Sequence, residues 1–208
     1  TTTGLWWTDA NWAGSLKPAN STSADTAFFS SSNGTQSVLL DANYSVAGLT
    51  FAQTGATTLS GTNGNQTLTI GTAGITINSG AGAVTLGSAT DGQNLAIALA
   101  GSQAWTNNSS SLLSILNGVS SASGTNTLTL AGSGNATFGS GAVISDGSGL
   151  VNLTQAGSGT GTLRATSTYT GTTTVNAGVL DIGGGGTTGS ISSASRLALG
   201  GGSLNLTR

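Results

Sequence analysis

Cysteine, histidine, methionine and glutamate do not occur in this sequence, and lysine and proline occur once each. Without cysteine there is no disulfide framework. Without histidine, cysteine or glutamate, Ser-His-Asp and Cys-His nucleophile systems and the common zinc sites are excluded. Charge is scarce as well: 5% of residues carry one, against about 25% in an ordinary domain. Lys17, Arg164, Arg196 and Arg208 are scattered, so no basic patch exists for phosphates and nucleic acid is not expected as a partner. No apolar run reaches the roughly 18 residues of a membrane-crossing helix. Trp6, Trp7 and Trp12 sit together in sequence instead of forming the paired aromatic girdles of a membrane barrel, so membrane insertion is not expected either. The chain opens TTTGLWW, with neither Met nor a hydrophobic signal core, which reads as a processed mature form or an excised fragment.

What the sequence does have is glycine, 35 of 208 residues, beside 36% hydrophobic residues and a mean hydropathy of +0.14. That apolar content argues against disorder, which needs low hydrophobicity or high charge. Glycine is expected instead at turns that require positive φ. Apolar residues do not recur at helical spacing except weakly over 111–119, where the serines favour a strand preceded by a loop. The chain therefore reads as all-β.

The pattern is clearest over 150–182, where four short strands are expected at 150–154, 162–165, 172–175 and 179–182, separated by turns of Gly, Ser, Thr and Asn. Apolar and small polar residues alternate within them: Leu180 and Ile182 point one way, Val179 and Asp181 the other. Similar strands are expected at 37–41, 45–51, 57–60, 66–70, 74–78, 83–86, 95–100 and 203–207, with a break in rhythm over 93–119. Two or three such pieces cannot bury enough apolar surface alone, so they must stack on copies of themselves as a solenoid. At about 20–25 residues per coil and ~4.8 Å per step, the chain would make about seven to nine coils and a rod roughly 35–45 Å long.

The run LTQAGSGTGTLRATSTYTGTTTVNAGVLDIG also resembles the passenger-associated repeat of autotransporter proteins. Leu153, Thr154, Gly157, Gly159, Leu163, Thr168, Tyr169, Thr170, Gly171, Thr173, Val175, Gly178 and Leu180 fall on the family pattern. Gln155 stands where that family usually has Lys, and Arg164 lies in the second strand. The resemblance implies a right-handed parallel β-helix, exported and displayed outside a bacterial cell, secreted or at the cell surface. Residues 1–35 are then expected to form an N-terminal cap and first coil, and residues 36–208 the β-solenoid, with the repeat at 150–182.

Two places invite interaction. Trp6, Trp7, Trp12, Phe28 and Phe29 would cover the open end of the first coil, since terminal coils of a solenoid must be atypical; the functional alternative is a platform on which sugar rings stack. Ser203, Leu204, Asn205, Leu206 and Thr207 form a last strand without aromatics, charge cluster or proline. It would meet further coils of a parent chain, or an identical subunit joined head to tail in a filament. A binding module for a repetitive surface is a further reading, either polysaccharide through Trp6, Trp7, Trp12 and Trp105, or ice through ranks of outward threonines such as Thr67, Thr69, Thr85, Thr127 and Thr129, although Thr is an ordinary exposed strand residue.

Catalytic and cofactor sites are not expected. Asp9, Asp25, Asp41, Asp91, Asp146 and Asp181 are singletons in sequence, although a parallel β-helix can align distant residues. No calcium-binding loop or nonapeptide is present. The glycine runs 183–186 and 200–202 lack the Lys and following helix of a phosphate loop and read as turns. The expected function is a non-catalytic, extracellular structural or adhesive solenoid module. A filament subunit is the alternative, and a polysaccharide- or ice-binding module a lower one, with cell-surface or matrix polysaccharide as a partner.

Overall fold

The computed structural model describes residues 2–30, 34–62 and 64–208; Thr1 and residues 31–33 of the expected cap lie outside them. The first strands are β1 (Thr2–Leu5), β2 (Thr26–Phe29), β3 (Gln36–Leu40), β4 (Tyr44–Phe51), β5 (Thr57–Gly61) and β6 (Gln66–Ile77). Next come β7 (Val84–Leu86), β8 (Leu95–Leu99), β9 (Gln103–Asn107), β10 (Leu113–Ile115), β11 (Val119–Gly132) and β12 (Ala136–Phe138). The series ends with β13 (Ile144–Gln155), β14 (Thr160–Leu163), β15 (Thr173–Val175), β16 (Val179–Ile182), β17 (Leu197–Leu199) and β18 (Ser203–Leu206). Two short 3-10 turns, Asp9–Asn11 and Ala13–Ser15, follow β1.

One sheet stacks nine strands in the order β1, β3, β5, β7, β10, β12, β14, β16 and β18. The other stacks β2, β4, β6, β8, β11, β13, β15 and β17, with β9 paired to β6 and β11. All these pairings are parallel, and the chain alternates between the sheets as it climbs, except that β8 and β9 both join the second. The architecture is an all-β parallel solenoid. Nine strands at ~4.8 Å spacing make a rod about 40 Å long.

The second sheet is bent, so the coil has three sides. In β6, Gln66–Ile70 pair with β8, whereas Ile75, Thr76 and Ile77 pair with β9. In β11, Val119, Ser120 and Ser121 pair with β8, and the stretch from Leu128 to Gly132 pairs with β9. Sequence reading split β6 into two short strands at its glycines; the ladder instead runs through the bend with a register shift where β4 passes from Val46 to Gly48 beside it. The break expected over 93–119 is a coil whose third side is carried by its own strand, β9. At the corners glycine is required sterically: Gly132 has φ +88, and a Cβ there would lie 2.1 Å from the Asn107 carbonyl oxygen.

Alternation within strands becomes columns between them. Leu59, Leu86, Ile115, Phe138, Leu163 and Ile182 are successive partners on the first sheet and all are buried. Outward beside them run Thr58, Thr85, Ser114, Thr137 and Thr162. Each buried aliphatic contributes about 1.5–3 kcal/mol, and every coil adds such side chains to a continuous core. Coil length is elastic: Gly161 and Leu180, 19 residues apart, are neighbours in a column, and so are Val84 and Leu113, 29 residues apart. The variation is absorbed in the corners.

Amide side chains hold those corners. Asn107 is 1% exposed; its Nδ2 donates to the carbonyls of Ser111 and Asn135 and its Oδ1 accepts from the Ser109 N–H, all at 2.9 Å. Gln155 Nε2 donates to the Gly157 and Gly159 carbonyls at 3.0 Å. Outside the core, Asn117 donates to Asn94 at 3.1 Å and Asn94 to Asn65 at 2.9 Å, a ladder with one amide per coil.

Candidate functional site

The aromatic cluster near the start of the chain divides into core and surface. Trp6 is buried. Trp12 donates its indole N–H to the Trp6 carbonyl at 2.8 Å and meets the Trp6 ring edge-on at 5.2 Å. Phe29 stacks on Phe51 at 4.8 Å and 8°. These three side chains plug the first coils. Trp7 and Phe28 instead reach solvent, at 39% and 54% exposure. Trp7 lies flat against Tyr44 at 5.0 Å and 15°, and the Lys17 ammonium sits 4.7 Å from its ring centroid. Lys17 is itself paired with Asp9 at 2.8 Å, a hydrogen bond that holds the Asp9 carboxyl below its ordinary value. The Trp7 ring is thus already engaged. Phe28 and Phe29 line a cavity of about 370 Å³ together with Trp12 and Val38.

Trp105, included in the sugar-stacking reading, is 1% exposed. It stacks on Phe138 at 6.0 Å and donates to Gln103 Oε1 at 2.9 Å, so it belongs to the core and is closed to a ligand. The threonine rank also needs correction. Thr67 and Thr69 lie on one side of the coil opposite Ala96 and Ala98, Thr85 on the other sheet between Thr58 and Ser114, and Thr127 and Thr129 on the third side beside Asn152 and Thr154. The period-2 alternation was read correctly, but bends in the chain send these residues to three sides, so they do not make one flat lattice.

At the other end, β18 continues the columns: Ser203, Leu204, Asn205 and Leu206 pair with Val179, Leu180, Asp181 and Ile182. Thr207 donates its N–H to the Ile182 carbonyl at 2.9 Å and its hydroxyl to Asp181 at 2.5 Å. Leu206, Leu197 and Leu199 are exposed, although they occupy the columns that are buried in the coils before them.

Between these ends lies a hydrogen-bonded turn that ties one coil to the next. Asp146, followed by Gly147 at φ +70, accepts from the Val151 N–H at 2.9 Å, the Thr170 N–H at 3.1 Å and the Thr170 hydroxyl at 2.7 Å. Burial alone would raise its carboxyl, but these donors together hold it below the ordinary value. Tyr169, fully buried, shares a hydrogen bond with Thr173 at 2.7 Å; Thr173 shares one with Ser195 at 2.9 Å, and Ser195 donates to the Gly171 carbonyl at 2.6 Å. Burial pushes the Tyr169 phenol up to about 12. The Tyr-Thr-Gly sequence is thus explained residue by residue: Tyr169 fills the core, Thr170 clamps to the preceding coil, and Gly171 passes where a Cβ would lie 2.2 Å from the Val151 carbonyl oxygen. Sequence reading took Asp146 for a plain turn residue and missed the clamp; an Asp-Gly turn about one coil before a threonine-rich turn is the signal that could have found it.

Chemically this inventory builds and joins coils. Among the described residues, no three of His, Cys, Asp and Glu gather in a way that could hold a metal ion, and no helix is long and apolar enough to cross a membrane. The molecule is of the class of parallel β-solenoids in which each coil is one copy of a strand-turn unit. Residues 153–182 match the family described as passenger-associated-transport-repeat. The match reaches across two successive coils, from β13 and β14 to β15 and β16, which stack on them, and it includes the Tyr169–Thr173 hydrogen bond. Comparisons with curated proteins and with solved structures give no match.

Proposed function

We propose that the chain is a passenger-type module of an exported protein: a non-catalytic β-solenoid displayed at the cell surface or secreted, with a structural or adhesive role. One observation carries this reading. The strands that match the transport-associated repeat stack on one another and are in register with the coils on either side of them, so the repeat is an integral part of the rod. A fold built of stacked, cysteine-free coils suits export, because each added coil is stabilised by its neighbour. The test is to place the chain between a secretory signal and an outer-membrane translocator in a bacterial host, and then treat intact cells with protease. Digestion of the chain on intact cells is expected; a chain protected until lysis would overturn the reading.

A second reading, a subunit added end to end in a filament, is favoured by the exposed Leu197, Leu199 and Leu206 on terminal strands β17 and β18, since unpaired edges with apolar columns template further strands. Negative-stain electron microscopy over a concentration series separates the two. Filaments that disappear in Leu199→Asp, Leu206→Asp support assembly, whereas discrete rods at every concentration exclude it.

A further inference from the structure

A groove of about 590 Å³ runs across the first sheet, bordered by Leu112 and Leu116, floored by Ser114 and Thr137, and closed by Arg164 and the loop that ends in Thr188. It crosses β10 and β12 and reaches the corner residues that follow β14 and β16, so four successive coils contribute to it, and its size is that of a ligand site. Two features distinguish it from the rest of the polar exterior.

The first is Arg164. Its side chain is exposed, and among the described residues the only ion pair is the distant Lys17–Asp9. The carboxylate on the same sheet, Asp181, stands opposite Thr162 and accepts the Thr207 hydroxyl, and it forms no ion pair with Arg164. Arg164 is thus a cation with no carboxylate in salt-bridge contact, set among hydroxyls and methyl groups. The second is the loop beside it. Gly183, Gly184 and Gly185 have φ +105, +59 and +74, a run of left-handed conformations that only glycine adopts freely. A Cβ at Gly184 would lie 2.9 Å from Arg164 Nε. The backbone therefore lies directly against the guanidinium, and Thr188 reaches across to donate to the Arg164 carbonyl at 2.9 Å. The glycines hold Arg164 at the groove wall without covering it. The run that reads in sequence as a turn is the retaining wall of this cation.

We propose that this groove binds an acidic polysaccharide, with Arg164 receiving the carboxylate of a uronic acid unit. A guanidinium fork matches a carboxylate in two parallel hydrogen bonds. Ser114 and Thr137 present hydroxyls to sugar hydroxyls, and Leu112, 39% exposed, offers the apolar contact that the C–H face of a pyranose requires. An acidic peptide fits less well. The strands beneath the groove are paired on both edges, so no main-chain donors are open to a peptide backbone.

The inference rests on the groove alone and is tested on the purified chain, independently of export. Titration calorimetry at low salt would compare oligogalacturonate, its methyl ester and poly-L-glutamate. Oligogalacturonate should bind; the ester, neutral but otherwise alike, should bind at least about tenfold more weakly, the loss expected for one charge-assisted contact. Arg164→Gln should lose the same factor while keeping the wild-type melting curve, and Arg196→Gln, an exposed cation outside the groove, should bind as wild type does. The proposal is overturned by any of four results: no binding at millimolar oligogalacturonate, equal binding of the ester, undiminished binding by Arg164→Gln, or poly-L-glutamate binding as tightly.

Discussion

Asn107→Ala should be among the most destabilising single substitutions in the chain, although it removes no apolar surface. Asn107 is 1% exposed and its amide closes three hydrogen bonds at 2.9 Å, two donated to the carbonyls of Ser111 and Asn135 and one accepted from the Ser109 N–H. Alanine would leave the Ser111 carbonyl and the Ser109 N–H inside the corner without the amide, while the Asn135 carbonyl keeps the Leu113 N–H at 3.1 Å. An orphaned buried group costs about 1–3 kcal/mol. Entry of a water molecule would recover part of that, which sets the expected loss from two such groups at about 2–4 kcal/mol. Asp at this position should do no better, because it supplies no donors and introduces a buried charge. Thr106→Ala is the control: it is the next residue on β9, faces outward and is half-buried, and it should cost less than about 1 kcal/mol. Chemical unfolding followed by far-UV circular dichroism gives the difference from the shift in midpoint at constant slope. Equal midpoints for the two variants would refute the assignment of corner stability to internal amides.

Phe138→Ala, which removes a buried ring stacked on Trp105, should cost about 3–5 kcal/mol in the same assay. Asp146 has its pKa lowered, so its stabilising hydrogen bonds are present above the unfolded carboxylate value and are lost as pH falls through the lower folded one. Asp146→Asn should therefore cost about 1–3 kcal/mol at neutral pH and show a shallower loss of stability below pH ~4 than wild type; an unchanged acid limb would disprove the clamp. Ultraviolet titration of the phenols should show no ionisation of Tyr169 or Tyr44 until about pH 12, since burial raises Tyr169, and burial with the Asp41 carboxylate at 2.6 Å raises Tyr44; ionisation near pH 10 would place either ring at the surface.

The strands were legible because their cause is local. An apolar residue at every second position specifies a buried face wherever it occurs, and triplets such as Val84-Thr85-Leu86 and Leu128-Thr129-Leu130 settle into strands with both aliphatics buried. The plug formed by Trp6, Trp12 and Phe29 was foreseeable on similar grounds, since large aromatics at the start of a stack of small residues have one obvious place to go. What sequence could not supply was the assignment of residues to sides. Thr67 and Thr85 look equivalent in sequence, but the corner between β6 and β7, residues 78–83, sends them to different sheets. Trp105 looked available to a ligand for the same reason. The internal amides were hidden because Asn and Gln follow strands in turns of every kind, and only the return of the chain one coil later determines whether they face inward.

That division also bears on where function can reside. The sides of the rod are constrained twice, inward by the core columns and outward by the ~4.8 Å spacing that places each residue against its counterpart above and below. Substitution there is felt by two neighbours. Corners are constrained once: they must return the chain to register, but coils of 19 and 29 residues both do so. A solenoid therefore acquires recognition at its corners and keeps its sides plain. The groove follows this logic, with hydroxyls of the plain side as its floor and a corner loop, Gly183 to Thr188, holding its single charge in place. Lengthening that loop by two glycines after Gly185 should leave melting within about 1 kcal/mol of wild type, since loop-closure cost grows slowly with length. The same change frees Arg164 from the backbone that holds it. Loss of oligogalacturonate binding with retained stability would assign recognition to the corner, whereas loss of stability would mean that this corner, like those closed by Asn107 and Gln155, is part of the scaffold.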